Sequence, residues 1–204
     1  LVTSGGAAAP VDLHRACGGE TADGVNDAGT PLPPAGPFNL YARAVQGPRD
    51  GTLCLAEDKT EAADVTWTLL LRPKWIESRL NRKNKVGYLR ALVPLRRAAD
   101  GRILSMRAEG SAGTAVIEGP EEISRALGAG SLRSTLFSIR PIYAGKYPEF
   151  FMLRCIGTGD GKGMCLLGAK GMAARLNSSY SAILARYFPL YKVKAPAMPP
   201  VPAR

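Results

Sequence analysis

A single histidine, His14, and only 7% aromatic residues set the first limits on this 204-residue chain. Few aromatics lie beside its basic clusters, so a platform for stacking nucleic-acid bases is poorly supported. No C-x-x-C pair and no second histidine complete a familiar zinc pattern. No run of 18 apolar residues occurs, and nothing in the sequence reads as a membrane span. Leu1 opens without Met and without a charged segment, so no signal peptide is visible, and the expectation is a chain cut from something longer. Acids are also scarce: 17 Asp and Glu stand against 27 Lys and Arg, for a net charge of +10. That excess favours an anionic partner, whether nucleic acid, an acidic membrane face or an acidic cell-wall polymer. It is scattered over Arg72, Lys74, Arg79, Arg82, Lys83, Lys85, Arg96 and Arg97, which also suits a solvated basic face. With 46% hydrophobic residues, the chain can bury a sizeable core as one domain.

The patterning indicates an α+β fold dominated by antiparallel strands. Leu89 to Arg96, Arg102 to Glu109 and Thr114 to Glu118 alternate in the strand manner. Asp100-Gly101 and Ser111-Ala112-Gly113 supply the turns, giving a β-meander. Val65 to Leu71, Leu132 to Ile139 and Glu149 to Ile156 are further strands, and Val11 to Ala16 and Phe38 to Val45 are short ones. Trp67, inside an apolar strand, reads as core more readily than as a sugar platform. Helices are expected over Lys74 to Lys83, with Trp75, Ile76, Arg79 and Leu80 at helical spacing, and from Pro120 to Gly128. Two more follow over Gly163–Leu176 and Ser179–Tyr187. Residues 26–37 read as loop, and 195–204 form a proline-rich tail after a domain spanning 1–194.

The most distinctive stretch is GTGDGKGMCLLGAKGMAARLN, residues 157–177. Gly157, Gly159, Gly161 and Gly163 alternate and run into a helix. Such a loop permits φ > 0 and close approach of the backbone to a partner, so it serves as a tight turn or as a ligand loop. A phosphate-binding P-loop would need Gly at Ile156 and Ser or Thr at Gly163. A dinucleotide fingerprint would need Gly at Lys162, so both are excluded. The four cysteines, Cys17, Cys54, Cys155 and Cys165, permit two disulfides in three pairings. His14 and Cys17 are close enough in sequence to share a metal such as zinc, with Cys54 a candidate third ligand. The alternative is no cofactor, with His14 titrating near neutral pH in a groove.

These segments resemble the stage II sporulation protein D/amidase enhancer (SpoIID/LytB) family. Gly163, Met164, Gly168, Ala169, Gly171, Met172 and Ala173 match its C-terminal signature, and Tyr180, Ile183, Leu184, Tyr187 and Pro189 its following helix. His14, Cys17, Gly18, Gly19 and Thr21 resemble its His-x-x-Cys-Gly-Gly-x-Thr strand end. Arg125, Leu127, Gly128, Leu132, Arg133, Ser134 and Phe137 match an intervening segment. Asp160 stands at the family's loop histidine and Leu166 at its glutamine.

The resemblance implies an extracytoplasmic protein acting on peptidoglycan glycan strands. Members are lytic transglycosylases cleaving the MurNAc–GlcNAc bond, or enhancers of a cell-wall amidase. The implied substrate-binding residues are His14, Gly18, Gly19, Thr21, Arg133, Ser134, Gly159, Asp160, Gly161, Gly163 and Met164. A later cysteine near Cys54 in family members implies a Cys17–Cys54 disulfide. The family's catalytic glutamate lies in a Ser-Glu-Met-Pro segment that this chain lacks, so the chain alone is expected to be inactive. Asp160 is the best-placed substitute acid, with Glu20, Asp23 and Glu149 behind it. Expected partners are glycan strands and an amidase, rather than nucleic acid.

Overall fold

A computed structural model describes residues 11–17, 30–31, 54, 59–98, 100–128, 130–189 and 191–192. The predicted strand of Phe38 to Val45, the tail, and Gly18, Gly19, Glu20, Thr21 and Asp23 lie outside the described residues. The fold is α+β and mostly antiparallel.

The meander forms as its alternation dictates. Strands β4 (Leu89–Arg97), β5 (Ile103–Gly110) and β6 (Thr114–Glu118) pair antiparallel in sequence order. In β6, Ala115 and Ile117 point inwards while Thr114, Val116 and Glu118 stay outside, the period-two pattern of a sheet with one wet face. Pro94 cannot donate to a ladder, and the register shifts beside it, between Pro94 and Arg96. Strand β2, Thr30–Pro31, pairs with Arg97 and Arg96 inside a stretch whose composition reads as loop. Two residues are too few to leave a periodic signal.

The second sheet has the order β3-β8-β7, from β3 (Thr66–Leu71), β7 (Phe137–Tyr143) and β8 (Pro148–Ile156). Here one expectation is corrected: the strand predicted over Leu132 to Ile139 begins only at Phe137. Leu132 and Leu136 are buried, but the Ser134 hydroxyl accepts the Leu136 N–H at 3.1 Å and turns the backbone there. Pro141 is tolerated in β7 because that strand is an edge. A short helix, α1 (Lys59–Val65), precedes β3, in a stretch whose sequence signals only the strand from Val65 to Leu71. It is pinned to the C-terminal region by Lys170, whose Nζ lies 2.7 Å from Glu61 Oε1.

Helix α2 (Pro73–Leu80) buries Ile76 and Leu80 but leaves Trp75 64% exposed, so Trp75 is no part of the apolar face. It stops short of Lys83 because Asn81 Oδ1 accepts the N–H groups of Val86 and Gly87 at 2.8 and 2.9 Å, folding the chain into a turn. Helix α3 (Pro120–Gly128) opens on Pro with Glu121 and Glu122 in its first turn, which suits the helix dipole. It lays Ile123, Ala126 and Leu127 inwards. The main core takes Ile76, Leu89, Ile103, Met106, Ile123, Leu127, Phe137, Phe151 and Leu153 from both sheets and both helices.

Beyond β8 the glycine loop leads to β9 (Met164–Cys165), α4 (Leu166–Leu176) and α5 (Tyr180–Tyr187). The helix expected from Gly163 starts three residues later, because Met164 and Cys165 pair in parallel with β1 (Leu13–His14). A second, smaller core sits there, of Ala16, Cys17, Cys54, Val65, Cys165 and Leu167, with Tyr187 packed on it. Among the described residues no helix is long and apolar enough to cross a membrane.

Candidate functional site

The loop of residues 157–163 is a clasp on the segment 12–17. All four alternating glycines have positive φ, between 67° and 108°. At Gly157 a Cβ would come within 2.6 Å of the Ala16 carbonyl oxygen, and at Gly159 within 2.7 Å of His14 Cβ. The absence of side chains thus lets two stretches of backbone touch. Ala16 and Thr158 exchange both backbone bonds, at 3.1 and 2.8 Å, and Gly159 N–H donates to the Arg133 carbonyl at 2.8 Å. The close partner expected of this loop is the chain itself.

A polar layer holds the clasp from the other side. Trp67 Nε1 donates to the Gly157 carbonyl at 3.0 Å while the indole packs against the main core, so the residue is both core and anchor. The Arg133 guanidinium lies 4.7 Å from the Trp67 ring centroid and donates to the Ala63 carbonyl at 2.7 Å. Asp64 pairs with Arg15 at 2.9 Å and with Arg133 at 3.2 Å, and its carbonyl accepts the Thr158 hydroxyl at 2.9 Å. Asp64 was not among the residues singled out from sequence. It lies 49 residues from Arg15 and 69 from Arg133, and no local pattern marks such a junction.

Several candidate residues have other duties in this arrangement. Ser134 is buried and serves the turn before β7 rather than presenting its hydroxyl to a groove. Asp160 is exposed, and its Oδ1 accepts the Lys162 N–H at 3.0 Å, closing the loop on itself. Glu149 is exposed on β8. Met164 is half-buried in β9 and its N–H donates to the Asp12 carbonyl. Gly161 faces the guanidinium of Arg102, which is buried and ion-paired with Asp100, and Gly163 faces the Asp12 backbone.

His14 is 4% exposed, so it faces the interior and not a groove. Burial lowers its pKa, outweighing the bond to Lys162 that raises it. Its Nδ1 lies 2.8 Å from the Lys162 carbonyl oxygen, which can only accept, so Nδ1 carries the proton in the neutral ring. Nε2 is then an unprotonated acceptor, buried and without a hydrogen-bond partner among the described residues.

None of the four cysteines forms a disulfide, which corrects the expected Cys17–Cys54 bridge. Cys155 lies apart in the main core, where burial pushes its pKa up to about 12. The other three gather beside His14. The ligand atoms of His14, Cys17 and Cys165 lie within 4.8 Å of one another, and Cys54 Sγ is 3.5 Å from Cys165 Sγ. Cys165 caps the N-terminus of α4: its Sγ accepts the N–H groups of Gly168 at 3.2 Å and Cys17 at 3.3 Å. Hydrogen bonds with Cys165 and Cys54, together with burial, hold the Cys17 thiol well above its ordinary pKa. His14 and Cys17 were legible as a candidate pair, whereas Cys165 was missed because 148 residues separate it from Cys17.

The geometry defines a small α+β domain whose N-terminal segment is clasped by a glycine loop over a cysteine–histidine cluster. Residues 58–163, just over half of the chain, match the family described as a domain of unknown function (DUF8618), and the chain belongs to that family. A comparison with curated proteins found no match.

Proposed function

We propose that this domain binds peptidoglycan glycan strands outside the cytoplasm and takes part in their remodelling, in the manner of the SpoIID/LytB proteins that its sequence resembles. The supporting observation is that the three resembling segments converge. The strand end at His14–Cys17, the Arg133 segment and the 157–165 loop are joined by the Ala16–Thr158 pair and the Gly159–Arg133 bond. A net charge of +10 suits a polymer bearing lactyl carboxylates.

A second reading, a non-catalytic wall-binding or amidase-enhancing module, is favoured by Asp160. Its exposed carboxylate is engaged with the Lys162 N–H in a loop turn, and the chain contains no Glu-Met-Pro segment. Incubation with stem-peptide-free glycan strands, followed by pelleting and mass spectrometry, tests both. Retention with new 1,6-anhydro-muramic acid ends indicates a transglycosylase. Retention with uncut strands indicates the module. Failure to bind glycan strands rejects the proposal.

A further inference from the structure

We infer that His14, Cys17, Cys54 and Cys165 together hold one Zn²⁺ ion in a closed, structural site. The donor set is three sulfurs and one imidazole nitrogen, a Cys₃His combination that suits tetrahedral zinc and leaves no open position for catalysis. The spacing agrees with a shared metal and not with a disulfide. Zn–S bonds of about 2.3 Å place tetrahedral sulfurs roughly 3.8 Å apart, whereas a disulfide needs about 2.05 Å. Cys54 and Cys165 are separated by 3.5 Å, and the ligand atoms of His14, Cys17 and Cys165 fall within 4.8 Å of one another.

A second, independent feature points to the same ligand. His14 Nε2 is buried without a hydrogen-bond partner among the described residues, while Nδ1 is held by the Lys162 carbonyl. That backbone bond fixes the tautomer and aims the Nε2 lone pair, as outer partners of metal-bound histidines do. Cys165 Sγ sits at the N-cap of α4 and accepts two backbone N–H bonds, the kind of outer donors that orient a metal-bound sulfur. Binding converts three thiols into zinc thiolates and releases three protons to solvent, with no change of oxidation state. The ion would tie β1, Cys54 and the start of α4 into the small second core, whose apolar content is only a handful of residues. This inference is independent of any action on glycan strands.

The test is metal analysis of the whole chain, purified under reducing conditions and desalted, with cobalt exchanged for zinc as a spectroscopic probe. The expected result is one zinc per chain, and for cobalt the visible bands of tetrahedral coordination with thiolate charge-transfer bands in the near ultraviolet. Cys165→Ser and Cys54→Ser should each weaken zinc binding by more than the roughly 10–100-fold typical of losing an outer-shell partner. Cys155→Ala should leave the cobalt spectrum unchanged, since that thiol lies in the other core. If either serine variant does not fold, the wild-type cobalt spectrum still decides. Little or no bound zinc after reconstitution, a cobalt spectrum without thiolate bands, or a disulfide among Cys17, Cys54 and Cys165 in the isolated chain would each overturn the inference.

Discussion

Replacing Gly157 with alanine tests whether the glycine loop is a backbone clasp. Gly157 has φ 76°, and its missing Cβ would lie 2.6 Å from the Ala16 carbonyl oxygen and 3.2 Å from the Cys17 carbonyl carbon. Those are backbone atoms and cannot swing aside. An alanine in the left-handed region costs about 1–2 kcal/mol by itself. Relieving the overlap must also part Ala16 from Thr158, which lie in two backbone hydrogen bonds worth about 1 kcal/mol each. The sum is about 3–4 kcal/mol, or a fall of roughly 6–16 °C in Tm for a chain of this size. Gly145→Ala is the matched control, because Gly145 has φ 86° with nothing within 4 Å of its Cβ position. It carries the conformational cost of about 1–2 kcal/mol alone. Thermal melts by circular dichroism give the two shifts, and hydrogen exchange at the Ala16 and Thr158 amides locates the damage. Equal melting temperatures for the two variants, with unaltered protection at Ala16 and Thr158, would refute the clasp.

Trp67→Phe keeps most of the ring but loses the bond to the Gly157 carbonyl, and should cost about 1 kcal/mol in a denaturant titration, with faster exchange confined to the loop. Asp64→Asn leaves Arg15 and Arg133 without their shared carboxylate. Both arginines are more than a third exposed, so the loss should stay near 1 kcal/mol and shrink as salt is added. Phe151→Ala, at a fully buried position in the central strand β8, should destabilise by about 3–5 kcal/mol in equilibrium unfolding. The Cys155 thiol has its folded pKa raised to about 12 from an ordinary value of 9.0. Its contribution to stability is therefore complete below pH 9 and declines as pH rises towards 12. Cys155→Ala should flatten the alkaline stability profile by about 1.4 kcal/mol per pH unit in that window.

What the sequence determined by itself was local. The meander from Leu89 to Glu118 and the helix opening at Pro120 are written in short-range signals: alternation, a turn residue, a proline before two acids. They form as read because each is satisfied by neighbours a few residues away. Ser179 likewise marks the start of α5, where its hydroxyl accepts the Ala182 N–H. The glycine spacing disclosed a loop of unusual backbone but not what it touches. Leu132 to Leu136 has the apolar alternation of a strand, yet the Ser134 turn wins, and burial there comes from loop packing.

Only the tertiary structure decided the site. Parallel pairing of β1 with β9 brings residues 13–14 to residues 164–165, and with them Cys17 to Cys165. Asp64 acquires its meaning from two arginines on distant segments, and His14 from a carbonyl 148 residues away. Such junctions leave no periodic trace in the chain, because the energy that fixes them comes from burial and backbone pairing between segments whose separation in sequence carries no constraint on their chemistry.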